Sequence, residues 1–356
     1  MKNKKQKDFY DERLHEMLRY KRPHDGKMER TWVDRFLGQY ETELIDDMAY
    51  IIEVPMANGT QSKTIFSCHV DTVHRADGMQ RVKYDRKNQR YYKDDGEPLG
   101  ADDGAGAWVM LEMIDAGVPG IYIFHRGEER GGIGSDYMAS KFGHWLEKFD
   151  RAIAFDRRGS TDVITHQGSQ RCCSDDFAQA LSDALNSHDD AMMYVPDDGG
   201  VFTDTANYVE LIPECTNVSC GYQNEHTGNE TLHLPTLFNL RDACIKVDWE
   251  NLPTKRDPKV VEYLDFGYGS KWGSMYQNYN WSAPKKTKSK SKVSYLGALE
   301  PRDLYDLSYK DMLDLAYDDP ETFVMLVRQE MFGVEYSDDT PDAKDDCFYF
   351  DHTERY

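Results

Sequence analysis

The chain has 356 residues, 64 acidic and 43 basic side chains, a formal net charge of −21 and a mean hydropathy of −0.75. No run approaches the roughly 18 consecutive apolar residues of a membrane helix, so no membrane association is expected. The acidic balance argues against a nucleic-acid partner, because binders of nucleic acid neutralise phosphates with a Lys/Arg surface.

The first residues, MKNKKQKDFYDER, are basic and then acidic and hold no apolar stretch of the secretory kind. The seven cysteines are odd in number, widely scattered and form no CxxC pair. Reduced thiols, a cytoplasmic location and no zinc ribbon are expected.

In chain order, helical periodicity at about 9–20 and 29–38 comes first. Short apolar strands follow at Tyr50–Val54 and Thr64–Cys68, then a hairpin from Val82 to Tyr92. A helix at 104–116, a strand at Ile121–His125, a helix at 135–148 and a strand at Ala152–Asp156 come next. Strand Val163–Thr165, helix 174–187, strand Thr216–Cys220 and helix 234–246 complete an α/β alternation. Beyond it, residues 267–281 are rich in Gly, Ser, Asn and aromatics, and residues 285–292 read KKTKSKSK, a +5 run with the composition of a solvated linker. Residues 300–332 have a helical pattern broken at Asp319-Pro320, a helical hairpin. Residues 293–356 together carry −12. The expected organisation is a catalytic domain over 1–252, a linker over 253–292, a small helical module over 293–334 and an acidic tail over 335–356. The acidic end is a place for a protein partner.

Polar residues gather where strands end. His69-Val70-Asp71 follows the second strand, a His that can ligate a metal with a carboxylate two residues on that can orient its ring. Gly100-Ala101-Asp102-Asp103-Gly104 runs into a helix. Gly127-Glu128-Glu129 follows the Ile121–His125 strand and offers one metal ligand and one free carboxylate for proton transfer. Asp156 ends another strand, and the segment Ser219 to Glu230 carries His226. The C-terminal edge of an open α/β sheet is where ligands bind, and five such endings at one edge form a joint signal.

The order HxDTV, GADDGAG, GEExGGxGS, FD and S-x-G-x-x-N-x-H-T-x-x-E resembles the co-catalytic di-zinc exopeptidases over roughly residues 10–250. That superfamily includes zinc aminopeptidases, peptidase T-like tripeptidases and carboxypeptidase G-like enzymes. The resemblance implies a three-layer α/β/α fold around a mixed sheet. It implies two Zn²⁺ ions, with Co²⁺ or Mn²⁺ as alternatives. Asp102 would bridge them, His69 and Asp156 would complete one site, and Glu129 and His226 the other. Glu128 would be the general base and then the general acid, and Asp71 would orient His69. Asp103 matches the family position whose peptide bond with the bridging Asp is often cis. Asp204 lies in a segment that resembles the family's loop near the substrate pocket, where it would line the pocket or support the residues that do. His74, His125, His166 and His233 are expected in surface or core roles, and Cys172-Cys173 in a structural one.

Only 69 residues separate Asp156 from His226, too few for the lid that many members insert there. This favours a lid-less, single-domain aminopeptidase acting on short peptides. The alternatives are an N-acyl amino-acid amidohydrolase on the same site and a non-catalytic adaptor that keeps the fold.

Overall fold

A computed structural model describes residues 9–264. The Lys/Ser run, the helical hairpin and the acidic tail lie outside these residues. No helix among them is long and apolar enough to cross a membrane. The six cysteines among them are all buried and free.

The central sheet has eight strands: β1 (Thr42–Ile45), β2 (Ala49–Val54), β3 (Thr64–His69), β4 (Gly120–His125), β5 (Arg151–Arg157), β6 (Asp162–Ile164), β7 (Val195–Asp197) and β8 (Glu214–Ser219). Their order is β7-β6-β8-β5-β3-β4-β2-β1. The four central strands β8, β5, β3 and β4 run parallel. On one side β2 and β1 continue antiparallel, and on the other β6 is antiparallel to β8. The register aligns His69 with His125, so neighbouring strands deliver their C-terminal ends at one level.

Six helices cover the sheet: α1 (Glu12–Met17), α2 (Lys27–Phe36), α3 (Ala101–Asp115), α4 (Ile133–Leu146), α5 (Asp175–Asn186) and α6 (Leu234–Cys244). Side chains alternate across a strand, so each parallel strand feeds both faces. Phe66, Cys68, Tyr122, Phe124, Ile153 and Phe155 enter one core, which also holds residues of α1, α2, α3, α5 and α6. Ile65, Ile121, Ile123 and Ala152 enter the other, with Met138 and Leu146 of α4. Each fully buried side chain of this size contributes about 1.5–3 kcal/mol. Helix α3 is apolar nearly all round because it is buried nearly all round, against β3, β5, α1 and α6. The result is the three-layer α/β/α arrangement around a mixed sheet.

The Val82–Tyr92 hairpin is present, with Lys83–Asp85 paired to Arg90–Tyr92. Arg90–Tyr92 also pairs with Thr231–His233, in a small sheet whose other edge, Tyr222–Gln223, leads into the His226 loop. One boundary differs from expectation. Residues 253–264, assigned to the linker, are tied to the domain: the Lys255 and Arg256 amides donate to Glu214 Oε1 at 2.6 and 3.1 Å, and the Leu264 amide donates to Ser169 at 2.9 Å. Their polar composition hides contacts made through backbone and charge rather than apolar burial.

Candidate metal centre

The first group to place is His69, the last residue of β3. Its Nδ1 lies 3.1 Å from the Asp71 backbone carbonyl and 3.6 Å from Asp71 Oδ1, which leaves Nε2 facing the cleft. The carbonyl is the nearer of the two to the ring, and the carboxylate has other partners. It accepts the amides of Gly127 at 2.9 Å and of Glu128 and Glu129 at 3.2 Å each. One buried side chain thus ties the β3 loop to the β4 loop. Burial raises the Asp71 carboxyl, but hydrogen bonding and charge from His69 outweigh it, and the group stays below the ordinary range.

The β4 loop needs an unusual path. Gly127 has φ +75°, and a Cβ there would meet His24 at 3.0 Å, so an L side chain is both strained and crowded. Arg126 anchors the loop from beneath. Its buried guanidinium makes two hydrogen bonds to Glu29, at 2.9 and 3.0 Å, and donates to Asp25 at 2.8 Å and to the Asp47 carbonyl at 2.6 Å.

Asp102 and Asp103 open α3 with non-helical backbone, and the peptide bond between them is cis. Asp103 is fully buried: its Oδ1 accepts the Gly106 amide at 2.9 Å and its Oδ2 the His69 amide at 3.4 Å. A Cβ on Gly106 would lie 2.1 Å from the Phe155 carbonyl, so only glycine lets α3 approach β5 here. Asp156, near the end of β5, is held from three sides. Thr203 donates to its Oδ2 at 2.7 Å, the Tyr222 hydroxyl donates to its Oδ1 at 3.0 Å, and the Asn217 side chain bonds both its amide and its carbonyl.

These placements bring five side chains together in two overlapping trios. His69 Nε2 is 3.0 Å from Asp102 Oδ1 and 3.7 Å from Asp156 Oδ1. His226 Nε2 is 3.0 Å from Asp102 Oδ2 and 3.2 Å from Glu129 Oε2. Within each trio the potential ligand atoms all lie within 4.8 Å of one another. Asp102 belongs to both and offers a different oxygen to each. Glu129 Oε1 is buried without a hydrogen-bond partner. The set is one carboxylate shared between two His/carboxylate pairs, which fits two zinc-class dications. A further trio, His24, Asp25 and Glu29, meets the same distance test, but Arg126 already occupies its carboxylates.

The electrostatics point the same way. Burial pushes the Glu128 carboxyl up to about 10, with Asp156, Asp204 and Asp102 adding to the rise. Burial and then the charge of Asp102 push Asp156 up to about 7. Asp103 is raised well above its ordinary value by burial and by Asp156. Hydrogen bonds to Asp102 and Glu129 lift His226 to about 11. Asp102 itself sits low, because His226 and His69 outweigh its burial. So many carboxylates in low dielectric keep protons or find cations, and dications bound at the trios would discharge the cluster.

Glu128 lines a cleft of about 160 Å³ together with Asp102, Asp156 and His226. Asp204, expected near the substrate pocket, does not line this cleft. It is buried with Oδ2 3.2 Å from His125 Nδ1, and His125 Nε2 is 2.6 Å from the Tyr208 hydroxyl.

Glu230 carries more of the site than its place in the sequence suggests. It is buried, and its two oxygens accept the amides of Leu99 and Gly100 at 2.8 and 3.0 Å and of Ala101 and Asp102 at 2.7 and 3.1 Å. These are the orphan donors at the start of α3. The final Glu of the His226 motif is the only local trace of this role. Thr203, Asn217 and Tyr222 have no comparable signature.

Residues 50–231, just over half of the chain, match the model of peptidase family M28. No protein among the curated sequences matches. The fold is similar to that of aminopeptidase PepT from Bacillus cereus, with a TM-score of 0.55 at 13% identity, over 65% of this chain and 95% of that one. It is also similar to a tripeptidase from Staphylococcus aureus, with a TM-score of 0.50 at 14% identity, over 65% and 95% of the two chains. The matched span contains both trios and the paired glutamates of the β4 loop, and the chain is therefore a member of peptidase family M28, a metal-dependent peptidase.

Proposed function

We propose that the protein is a dinuclear zinc aminopeptidase acting on short peptides. The observation that carries this reading is Asp102, whose two oxygens each stand 3.0 Å from a different histidine. His69 and Asp156 would hold one ion and Glu129 and His226 the other, with Asp102 between them. Bound there, the pair supplies an acidified water and a polarised scissile carbonyl.

The chain's own residues do the rest. Glu128 lines the cleft beside Asp102 and carries no second task in the loop, while its neighbour Glu129 faces His226. Burial and the neighbouring carboxylates raise its proton affinity, and dications at the trios would lower it again, toward the range in which it can take a proton from the attacking water and deliver it to the leaving amine. Asp71 fixes the amides of both glutamates and the His69 ring, so base and ligands keep one geometry. The small cleft and the absence of room for a folded lid between Asp156 and His226 favour short substrates.

The test is Glu128→Gln. It keeps the shape and removes the base. With amino-acyl p-nitroanilides, kcat is expected to fall about 10²–10⁴-fold at unchanged zinc content. A variant that retains wild-type kcat sinks the assignment. Cleavage of N-acyl amino acids and no amino-acyl substrate would reject the aminopeptidase reading.

A further inference from the structure

Four carboxylates line the cleft, Asp102, Glu128, Asp156 and Glu225, and two arginines line it directly after the ligand candidate Asp156. They are not equivalent. Arg157 has a side chain only 13% exposed and is committed: its Nε donates to Asp162 at 3.0 Å, and its Nη2 lies 3.8 Å from Asp197. Arg158 has a side chain 62% exposed, and its one recorded bond is from Nη1 to Glu225 Oε1 at 3.1 Å. A guanidinium has five N–H donors in a planar fork, so this contact leaves a second edge open. Glu225 itself shows that a carboxylate fits against this head group at hydrogen-bond distance.

We propose that Arg158 is a specificity-determining residue that receives a carboxylate of the peptide substrate. This rests on the peptidase reading above and adds the substrate class: short peptides with a carboxylate on the leaving side of the scissile bond. The reasoning is electrostatic. Asp102, Glu128, Asp156 and Glu225 share the cleft with the reacting peptide. Dications held at the two trios would offset Asp102 and Asp156, but Glu128 and Glu225 are outside the trios and still repel a carboxylate unless a cation faces it. Of the two lining arginines, Arg158 is the exposed one, and its contact with Glu225 engages a single Nη. A bidentate guanidinium contact gives a directional bond where Lys would give only a point charge. Two sources of carboxylate fit, the free C-terminus of a dipeptide and an acidic side chain following the scissile bond.

The experiment measures kcat and KM of the zinc-loaded protein on four peptides: Leu-Ala, Leu-Ala-amide, Leu-Asp-amide and Leu-Asn-amide. The wild type is expected to prefer the carboxylate member of at least one pair by about tenfold in kcat/KM, through KM. Preference within the first pair identifies the C-terminus, and within the second the side chain. Arg158→Met is expected to bring that ratio close to one, and Arg158→Lys to restore part of it. Because Arg158 is largely exposed, these variants leave the core untouched. Equal rates within both pairs for the wild type, or an unchanged ratio in Arg158→Met, overturn the inference while the peptidase reading stands. No cleavage of any of the four peptides contradicts the peptidase reading and this inference with it.

Discussion

A single carboxylate shows how the site is built. Glu230 has no place in either trio, yet it fixes Asp102, which belongs to both, by accepting four successive amides. Glu230→Gln leaves one acceptor oxygen and turns an amide group toward backbone donors. A buried donor without a partner costs about 1–3 kcal/mol, so a loss of that order is expected in urea melts. Zinc affinity is expected to drop about 10–100-fold in a competitive titration, because a residue that orients a ligand has been removed. Wild-type values for both would show that the amides at the start of α3 need no anion. The bond spans up to 131 residues of sequence, so the final Glu of the His226 motif marks the residue without naming its partners. His69, Asp102, Glu129, Asp156 and His226, which the fold brings together, stand at strand ends, at a helix start or in the loop just beyond a strand, where a sequence pattern has an address. Thr203, Tyr222 and Asn217 were not legible, since a hydroxyl or amide that serves a distant carboxylate looks like any other polar residue. From sequence, Asp204 is expected to line the pocket or support the residues that do; its loop neighbours Val201 and Phe202 line the cleft, while Asp204 itself is buried beside His125.

Elements were legible in proportion to how strongly they are buried. The four parallel strands read as apolar runs, and their positions agree with the fold within two residues. The edge strands β1 and β7 went unread. β1 is four residues with Glu43 and Leu44 exposed, and β7 is Val195-Pro196-Asp197. Charge and proline on an edge blunt unwanted pairing and erase the strand pattern as they do so. The segment that leads into α3 holds a second device. His74 is buried there, with Thr72 Oγ1 2.8 Å from its Nδ1 and with Gln80 Oε1 and the Pro98 carbonyl 2.9 and 3.0 Å from its Nε2. Burial, with the charges of Arg22 and Lys93, lowers it from 6.5 to about 4. The folded state therefore binds fewer protons than the unfolded chain between these values. Stability is present above pH 6.5 and is lost as pH falls toward 4, by up to about 3 kcal/mol from this group. His74→Gln keeps a polar side chain and removes the titration. Chemical denaturation at pH 7 and pH 4.5 should show a smaller difference between the two pH values in the variant than in the wild type. Equal differences would place the acid sensitivity elsewhere.

At the scale of the whole molecule, one sheet edge gathers the chemistry. Parallel strands β3, β4 and β5 end at a common level, and the loops beyond them meet α3 and the His226 loop. That convergence follows from topology, which is why motif order in the sequence could foreshadow it. The net charge of −21 takes a different meaning in this light. Part of it is a concentrated cluster of buried carboxylates at the site, stable only with protons or cations, and part is the −12 carried by residues 293–356. Under the proposed function, Asp102 would join two ions in one centre. Zinc bound per chain, measured by mass spectrometry on dialysed wild-type protein and on Asp102→Asn, tests it most directly. Two ions are expected in the wild type and the loss of both in the variant. A single ion in the wild type, or two ions retained by Asp102→Asn, would contradict it.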